Sequence, residues 1–221
     1  IEGIRGLDLS LCYPHRSFDR QSIVWDMNYY KYMFLKLIGA PFNETRLERD
    51  FEILTRFLLD AGQEYFLFRD FQTANIMILD GKPWYIDYQG GRLGAPQYDI
   101  ASLTYDAKAF IPAAIRKKTI DRHLDLFAEA TGKPRESLEQ YQGAFTLIRL
   151  MQALGAFGFR GLHENKPTFN ESIVPAVELM HELLESDAVT IDLPELKKAS
   201  LAVPLQRKYR ILEHYQDLVK V

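Results

Sequence analysis

The 221-residue sequence predicts a mainly helical α+β fold with one small β-hairpin. Three observations carry that prediction. Apolar residues recur at helical spacing along most of the chain. Two short apolar runs, Ile76-Met77-Ile78-Leu79 and Trp84-Tyr85-Ile86, flank the turn-forming stretch Asp80-Gly81-Lys82-Pro83. A mixed aromatic and polar segment, Phe68-Arg69-Asp70-Phe71-Gln72-Thr73-Ala74-Asn75, leads into the first run without either periodicity and reads as a loop.

In chain order, Ser17 or Asp19 caps a helix through Ile23, Trp25, Met27, Tyr30, Phe34 and Leu37, which stops at Gly39-Ala40-Pro41. Arg46 to Asp60 makes a second helix, ended by Ala61-Gly62. After the hairpin, Arg92-Leu93-Gly94-Ala95-Pro96 reads as a loop, and Asp99 as the N-cap of a helix from Ile100 to Ala107. Ile111 to Thr131, Ser137 to Gly158 and Ser172 to Ser186 supply three more. Residues 1–186 are read as one lobe and 187–221 as a C-terminal extension or linker, where Pro194 and Pro204 punctuate two short amphipathic pieces ending in Leu205 to Val219.

The hairpin matters for chemistry because of what stands at its open end. Folding the chain about Gly81 pairs residues whose numbers add to about 162, so Met77 faces Tyr85 and Asn75 faces Asp87. Directly opposed residues have Cβ atoms roughly 5 Å apart. An amide oxygen and a carboxylate then sit side by side, with Asp70 on the loop entering the hairpin. Hard oxygen ligands of this kind suit Mg²⁺, which takes one or two carboxylates and completes its shell with water and phosphate oxygens.

In protein kinases an Asp accepts the substrate proton, an Asn five residues later holds metal, and a second Asp beyond a hairpin holds the metal that bridges the phosphates. Order and spacing here are the same. With Ile86-Asp87-Tyr88-Gln89 and Tyr98-Asp99-Ile100-Ala101-Ser102-Leu103, the chain resembles the aminoglycoside phosphotransferase and choline kinase superfamily, and within it the bacterial N-acetylmuramate and N-acetylglucosamine kinases. The similarity is densest from Tyr65 to Asp106 and extends weakly to about Glu185, including Ser17-Phe18-Asp19-Arg20-Gln21. The resemblance implies the large, C-terminal lobe of a protein-kinase-like fold, with Asp70 as catalytic base, Asn75 and Asp87 as metal ligands, Mg²⁺ and ATP as cofactors, and a sugar as acceptor.

Two positions depart from the family: Phe68 stands where it usually has His, and Gly90 where its sugar kinases often carry an acidic residue. Ahead of Asp70 there is neither a Gly-rich loop nor a strand Lys in a V-A-I-K-like setting. The expectation is therefore a large lobe whose N-terminal small lobe is missing, with the Ile1-Glu2-Gly3-Ile4-Arg5-Gly6 start as a remnant of the strap between lobes. The alternative is a catalytically inactive kinase-like module that binds or regulates.

Composition sets the outer limits. A hydrophobic content of 47% supports a sizeable core, and a formal charge of −3 gives no general attraction to nucleic acid. Arg116-Lys117-Lys118 reads as a solvated helix end. The most apolar long stretch, Ala144 to Phe159, is interrupted by Arg149 and Gln152 and is shorter than the roughly 20 residues of a membrane span. Cys12 is the single cysteine and no signal pattern is visible, so a cytoplasmic protein is expected.

Around the proposed centre, Gln72, Gln89 and Arg149 are candidates for substrate contact, and Arg69 and Asp99 for structural support through a mutual pair. His15, His123, His163, His181 and His214 lack zinc-ligand spacing. Tyr13, His15, Arg16, Trp25, Tyr29 and Tyr30 form an aromatic and polar cluster that reads as core or lobe packing, with the lining of an acceptor pocket as the alternative. Arg149, Gln152 and Arg160 interrupt an apolar helical face, where a sugar or carboxylate could reach them.

Overall fold

A computed structural model describes residues 6, 8, 10, 15–206 and 209 of the chain. The readings of Cys12, Tyr13, His214, the opening segment 1–5 and the tail beyond 209 lie outside these residues. The fold is mainly helical with two small antiparallel sheets.

Helix α1, Arg20–Tyr30, begins where the Asp19 carboxylate accepts the Ser22 N–H at 2.9 Å, which satisfies an otherwise orphaned donor of the first turn. Its inward face, Ile23, Met27 and Tyr30, is fully buried at the i, i+4, i+7 spacing of an amphipathic helix. A π-helical turn, Lys31–Leu35, joins it to α2, Lys36–Ile38, and Gly39 ends the run at a φ of 71°. Asn43 caps α3, Glu44–Asp60. The buried Lys31 ammonium ties the two helical segments by pairing with Glu44 at 2.8 Å and with Glu48.

The centre of the fold is α6, Arg135–Phe157, which packs against α1, α3, α4 (Gln97–Thr104), α5 (Ala113–Thr131) and α8 (Ile173–Glu185). Being surrounded, it is apolar on most sides: Leu147, Ile148, Leu150, Met151 and Leu154 have almost no exposed surface. Burying each such side chain is worth about 1.5–3 kcal/mol. A second π-helical turn, Gly158–His163, follows α6 and leads to α7, Pro167–Glu171.

Helix α9, Pro194–Leu201, packs on α3 and α8. Leu193, Leu196, Ala199 and Val203 join the same hydrophobic core, the Leu196 N–H donates to Asp50 at 2.8 Å, and Tyr30 and Ser200 hydroxyls meet at 2.9 Å. Residues 193–203 thus pack into the same core as the helices before them.

Two readings of the β region need correction. Arg92–Gly94 is not loop but strand β4, antiparallel to β1, Tyr65–Leu67, with Leu67 opposite Arg92. Its other edge is bonded to the segment before α1, through Phe18 N–H to the Leu93 carbonyl and Leu93 N–H to the Arg16 carbonyl. Three residues are too few to display a period of two, so the pairing was invisible in sequence. The hairpin is β2, Ile76–Leu79, with β3, Lys82–Tyr85, but its partners are Ile76 with Tyr85 and Met77 with Trp84, one residue off the expected register. Asp80 and Gly81 both have positive φ, 51° and 73°, and form a two-residue turn of the primed type that matches strand twist. An even loop makes paired numbers add to an odd total, so Asn75 faces Ile86 rather than Asp87; the Ile86 N–H donates to the Asn75 carbonyl at 3.1 Å.

Helix α6 and its π-turn approach the α1 segment closely through glycine. A Cβ on Gly158 would collide with the Met33 carbonyl oxygen, which is backbone and cannot swing aside. Gly158→Ala is expected to destabilise the protein by about 1–3 kcal/mol, the usual cost of overpacking. An unchanged midpoint in urea unfolding would show that the two segments part more easily than their packing implies.

Candidate functional site

The loop from Phe68 to Asn75 is held at both ends by carboxylates from one neighbouring region. Asp99, in the first turn of α4, accepts the Phe68 N–H at 2.7 Å and the Arg69 N–H at 2.8 Å. Asp106, just beyond the same helix, accepts the Thr73 N–H at 3.1 Å and the Thr73 hydroxyl at 2.6 Å. Asp99 is thus not the N-cap of its helix, a position taken by Pro96. Its carboxylate is committed to the loop, as structural support, but by accepting backbone N–H groups and not by pairing with the Arg69 guanidinium.

That guanidinium goes to Asp26 of α1, with Nη2 at 3.2 Å from Oδ1. Arg69 has a φ of 74°, a left-handed conformation that costs a side-chain-bearing residue of order 1–3 kcal/mol and persists only where the surroundings over-determine it. Here two N–H bonds to a carboxylate and a buried ion pair do so.

Within the loop, the Gln72 N–H donates to the Asp70 carbonyl and the Asn75 N–H to the Gln72 carbonyl, each at 2.9 Å. The Asn75 side chain is buried, and its Nδ2 also donates to the Asp70 carbonyl, at 2.9 Å. This bond fixes the orientation of the amide and leaves Oδ1 as its remaining acceptor. Asp87 is exposed and has a φ of 66°, so the chain turns sharply as it leaves β3. Phe68, Phe71 and Tyr85 form an aromatic row with successive centroids 5.6 Å apart, so the loop is braced by packing against the hairpin.

The remaining candidates are dispersed. Gln72 is half-buried in the loop, and Gln89 is exposed beyond the hairpin. Arg149 is buried, donating from Nε to the Ser102 hydroxyl at 2.9 Å and from Nη1 to Gln152 at 2.7 Å, which places it in the packing of α4 on α6. Arg160 lies over the Phe169 ring and pairs with Glu164. Two residues that the sequence reading left without a role emerge as parts of the site. Asp26 was signalled by a carboxylate inside the apolar stripe of α1, and Asp106 had no local signal because its partner is thirty-three positions away.

Burial dominates the electrostatics below the loop. It pushes Asp26 up to about 6, although Arg69 opposes the shift, because the guanidinium engages one carboxylate oxygen and leaves Oδ2 without a partner. Asp99 is pushed up to about 7 by burial against the opposing pull of its two backbone N–H bonds. For Arg69, burial works against the charge, yet Tyr98, Asp26 and Asp70 more than offset it and raise the guanidinium. Among the described residues no group of three or more His, Cys, Asp or Glu gathers as a metal site. Of the two residues expected as metal ligands, Asn75 is buried with its amide bonded to the Asp70 carbonyl, whereas Asp87 is exposed and is not its cross-strand partner.

Replacing Asp99 by Asn turns one acceptor oxygen into a donor facing a donor. This change is expected to cost about 1–3 kcal/mol and to speed hydrogen exchange at Phe68 and Arg69; unaltered exchange at both amides would remove Asp99 as the clamp. A second expectation concerns pH. Below about pH 4 Asp26 is neutral in both states. Between that point and about 6 the folded state keeps a proton that the unfolded chain has lost, so the contribution of Asp26 to stability falls as pH rises. The stability of Asp26→Asn relative to the native sequence should therefore rise between pH 4 and 7, by up to about 3 kcal/mol. Parallel stability curves for the two proteins would contradict it.

No protein-family model and no curated protein sequence matches this chain.

Proposed function

We propose that the chain is the large lobe of an ATP- and Mg²⁺-dependent small-molecule phosphotransferase whose acceptor is a sugar. The observation that carries the reading is the bond from Asn75 Nδ2 to the Asp70 carbonyl. It joins the candidate base and a candidate metal ligand into one closed turn and leaves the Asn75 amide oxygen as the acceptor that a cation would use.

In such a site Asp70 would take the proton of the attacking hydroxyl. Its loop position is set by Asp99 and Asp106, so little reorganisation accompanies proton transfer. Mg²⁺ held by Asn75 and Asp87 would neutralise charge on the transferring phosphoryl group. The hairpin supports the reading in a second way. Met77, Ile78, Leu79, Trp84, Tyr85 and Ile86 are all substantially exposed, and a two-stranded ribbon this apolar calls for a covering body, such as the nucleotide and the lobe that holds it. The rival reading, a binding module without turnover, rests on Phe68 at the head of the motif loop.

The test uses a protein carrying this chain together with a nucleotide-holding lobe, assayed for ATP-dependent transfer to sugars, choline, homoserine and aminoglycosides. Turnover should require Mg²⁺ or Mn²⁺, and Asp87→Asn should reduce it by about 10²-fold or more. Full activity of that variant would remove Asp87 from the metal site, and metal-independent binding without turnover would favour the rival reading.

A further inference from the structure

Two cavities adjoin along one face of α8 and together make a groove. The larger, of about 520 Å³, opens between α5, α6, α8 and the segment after it, with Ile120, Leu124 and Leu183 among its apolar walls. The smaller, of about 230 Å³, is walled by Ile111, Leu179 and Phe110, a ring 76% exposed. Arg116 and Glu182 line both, so the two meet at that ion pair. Pro175, Glu178, Leu179, Glu182, Leu183 and Ser186 supply the α8 side, the i, i+3, i+4, i+7 stripe of one helix face, about 16 Å long.

The groove is acidic. Asp106, Asp121, Glu139, Glu178, Glu182 and Asp187 line it against two cations, Arg116 and Lys117. Arg116 pairs with Glu182 and Lys117 with Asp121, while Arg135 serves both Asp121 and Glu139. Glu178 and Asp187, one in each cavity, have no cationic partner among the described residues. An apolar floor with a spare carboxylate toward each end calls for an occupant with an apolar stripe and a cation near each of its own ends.

The C-terminal segment of the chain itself has that pattern. Beyond Tyr209 stand twelve residues, in which Ile211, Leu212, Tyr215, Leu218 and Val219 recur at helical spacing, with Arg210 and Lys220 toward the two ends. Tyr209 is buried against Phe34; burial pushes its hydroxyl up to about 12, and the nearby Glu178 carboxylate adds to the rise. The segment therefore starts beside Glu178. We propose that the groove is the docking site of segment 210–221, laid along α8 with its apolar stripe on Ile120, Leu124, Leu179 and Leu183, Arg210 at Glu178 and Lys220 at Asp187. At the helical rise, Arg210 and Lys220 are about 15 Å apart and Glu178 and Asp187 about 14 Å, so both pairs form together. Apolar contact supplies the hold, and the rim pairs, worth little singly, set the direction. The tether supplies a high effective concentration, so contacts too weak to join two molecules suffice. The inference does not depend on the phosphotransferase reading, although Asp106, which holds Thr73, borders the groove.

The full chain, carrying a nitroxide at Gln216→Cys in a Cys12→Ser background, tests this by paramagnetic relaxation NMR. The amides of Leu179 and Glu182, and of Ala188 in the far cavity, should lose most of their intensity relative to the reduced label. Ile211→Asp and Leu218→Asp each put a charge into the apolar stripe and should restore the signals, with melting curves establishing that both variants are folded at the measuring temperature. Glu178→Lys, at an exposed position, should restore them in part, and adding Arg210→Glu should bring the loss back. Full intensity at Ala188 would overturn the docking, as would a loss that persists in both Asp variants. A loss that appears only when spin-labelled and isotope-labelled copies are mixed would overturn it too, because a second copy would then fill the groove.

Discussion

The acceptance of two consecutive backbone N–H groups by the Asp99 carboxylate is the constraint on which the site depends. A backbone held in the left-handed region at Arg69 does not persist by itself. The two bonds hold it in place because breaking either would leave a backbone donor without its acceptor, at a cost of about 1–3 kcal/mol. Asp99 is in turn immobile because α4 is pinned to α6, through Ser102 with Arg149 and through the Gln97 side chain with the Leu138 carbonyl at 3.1 Å. The geometry around Asp70 is thus set by the helical core and not by the loop's own sequence preference.

Beneath the clamp lies a group of charges drawn from distant parts of the chain: Asp26 on α1, Arg69 in the loop, Asp99 on α4 and Arg149 on α6. Such a group is a poor source of stability, because desolvation consumes most of the attraction, but removing one member leaves another charge buried and unpaired. It therefore acts as a register device. The apolar core would tolerate small slides of α1 against α6, whereas the pairing of Asp26 with Arg69 tolerates few. The close backbone approach at Gly155 and Gly158 acts in the same direction, by excluding side chains where the two segments cross.

The helices were legible because their signals are local: Asp19 as a cap, Gly39 as a stop, and apolar spacing through Tyr30 and Phe34. Spacing singled out Asp70, Asn75 and Asp87, and the structure gathers the first two into one closed turn. What could not be read was whatever depends on long-range partners. The role of Asp99 looked like a helix cap because a carboxylate near a helix start is ambiguous until its acceptor geometry is known. Asp106 and Asp26 find partners across thirty-three and forty-three positions, and no periodicity reports on that. Strand β4 was lost for a similar reason, since a three-residue strand is defined by its neighbours and not by its composition.

The hairpin register decides more than which apolar residues meet. Directly opposed residues of an antiparallel pair point to the same face, so Asn75 shares a face with Ile86, and a regular strand would send Asp87 to the other. The two-residue Asp80-Gly81 turn enforces that register, and no adjustment within the strands can undo it. The left-handed residue at Asp87 ends the alternation at the position where the metal reading needs a carboxylate. A glycine would hold that backbone at lower conformational cost, but aspartate is among the side-chain-bearing residues that enter the left-handed region most readily, so the turn at Asp87 ends the strand without demanding a ligand. What the register and this turn decide together is that Asp87 leaves the ladder at the residue after Ile86, so its carboxylate is placed by the chain beyond the hairpin and not by cross-strand pairing.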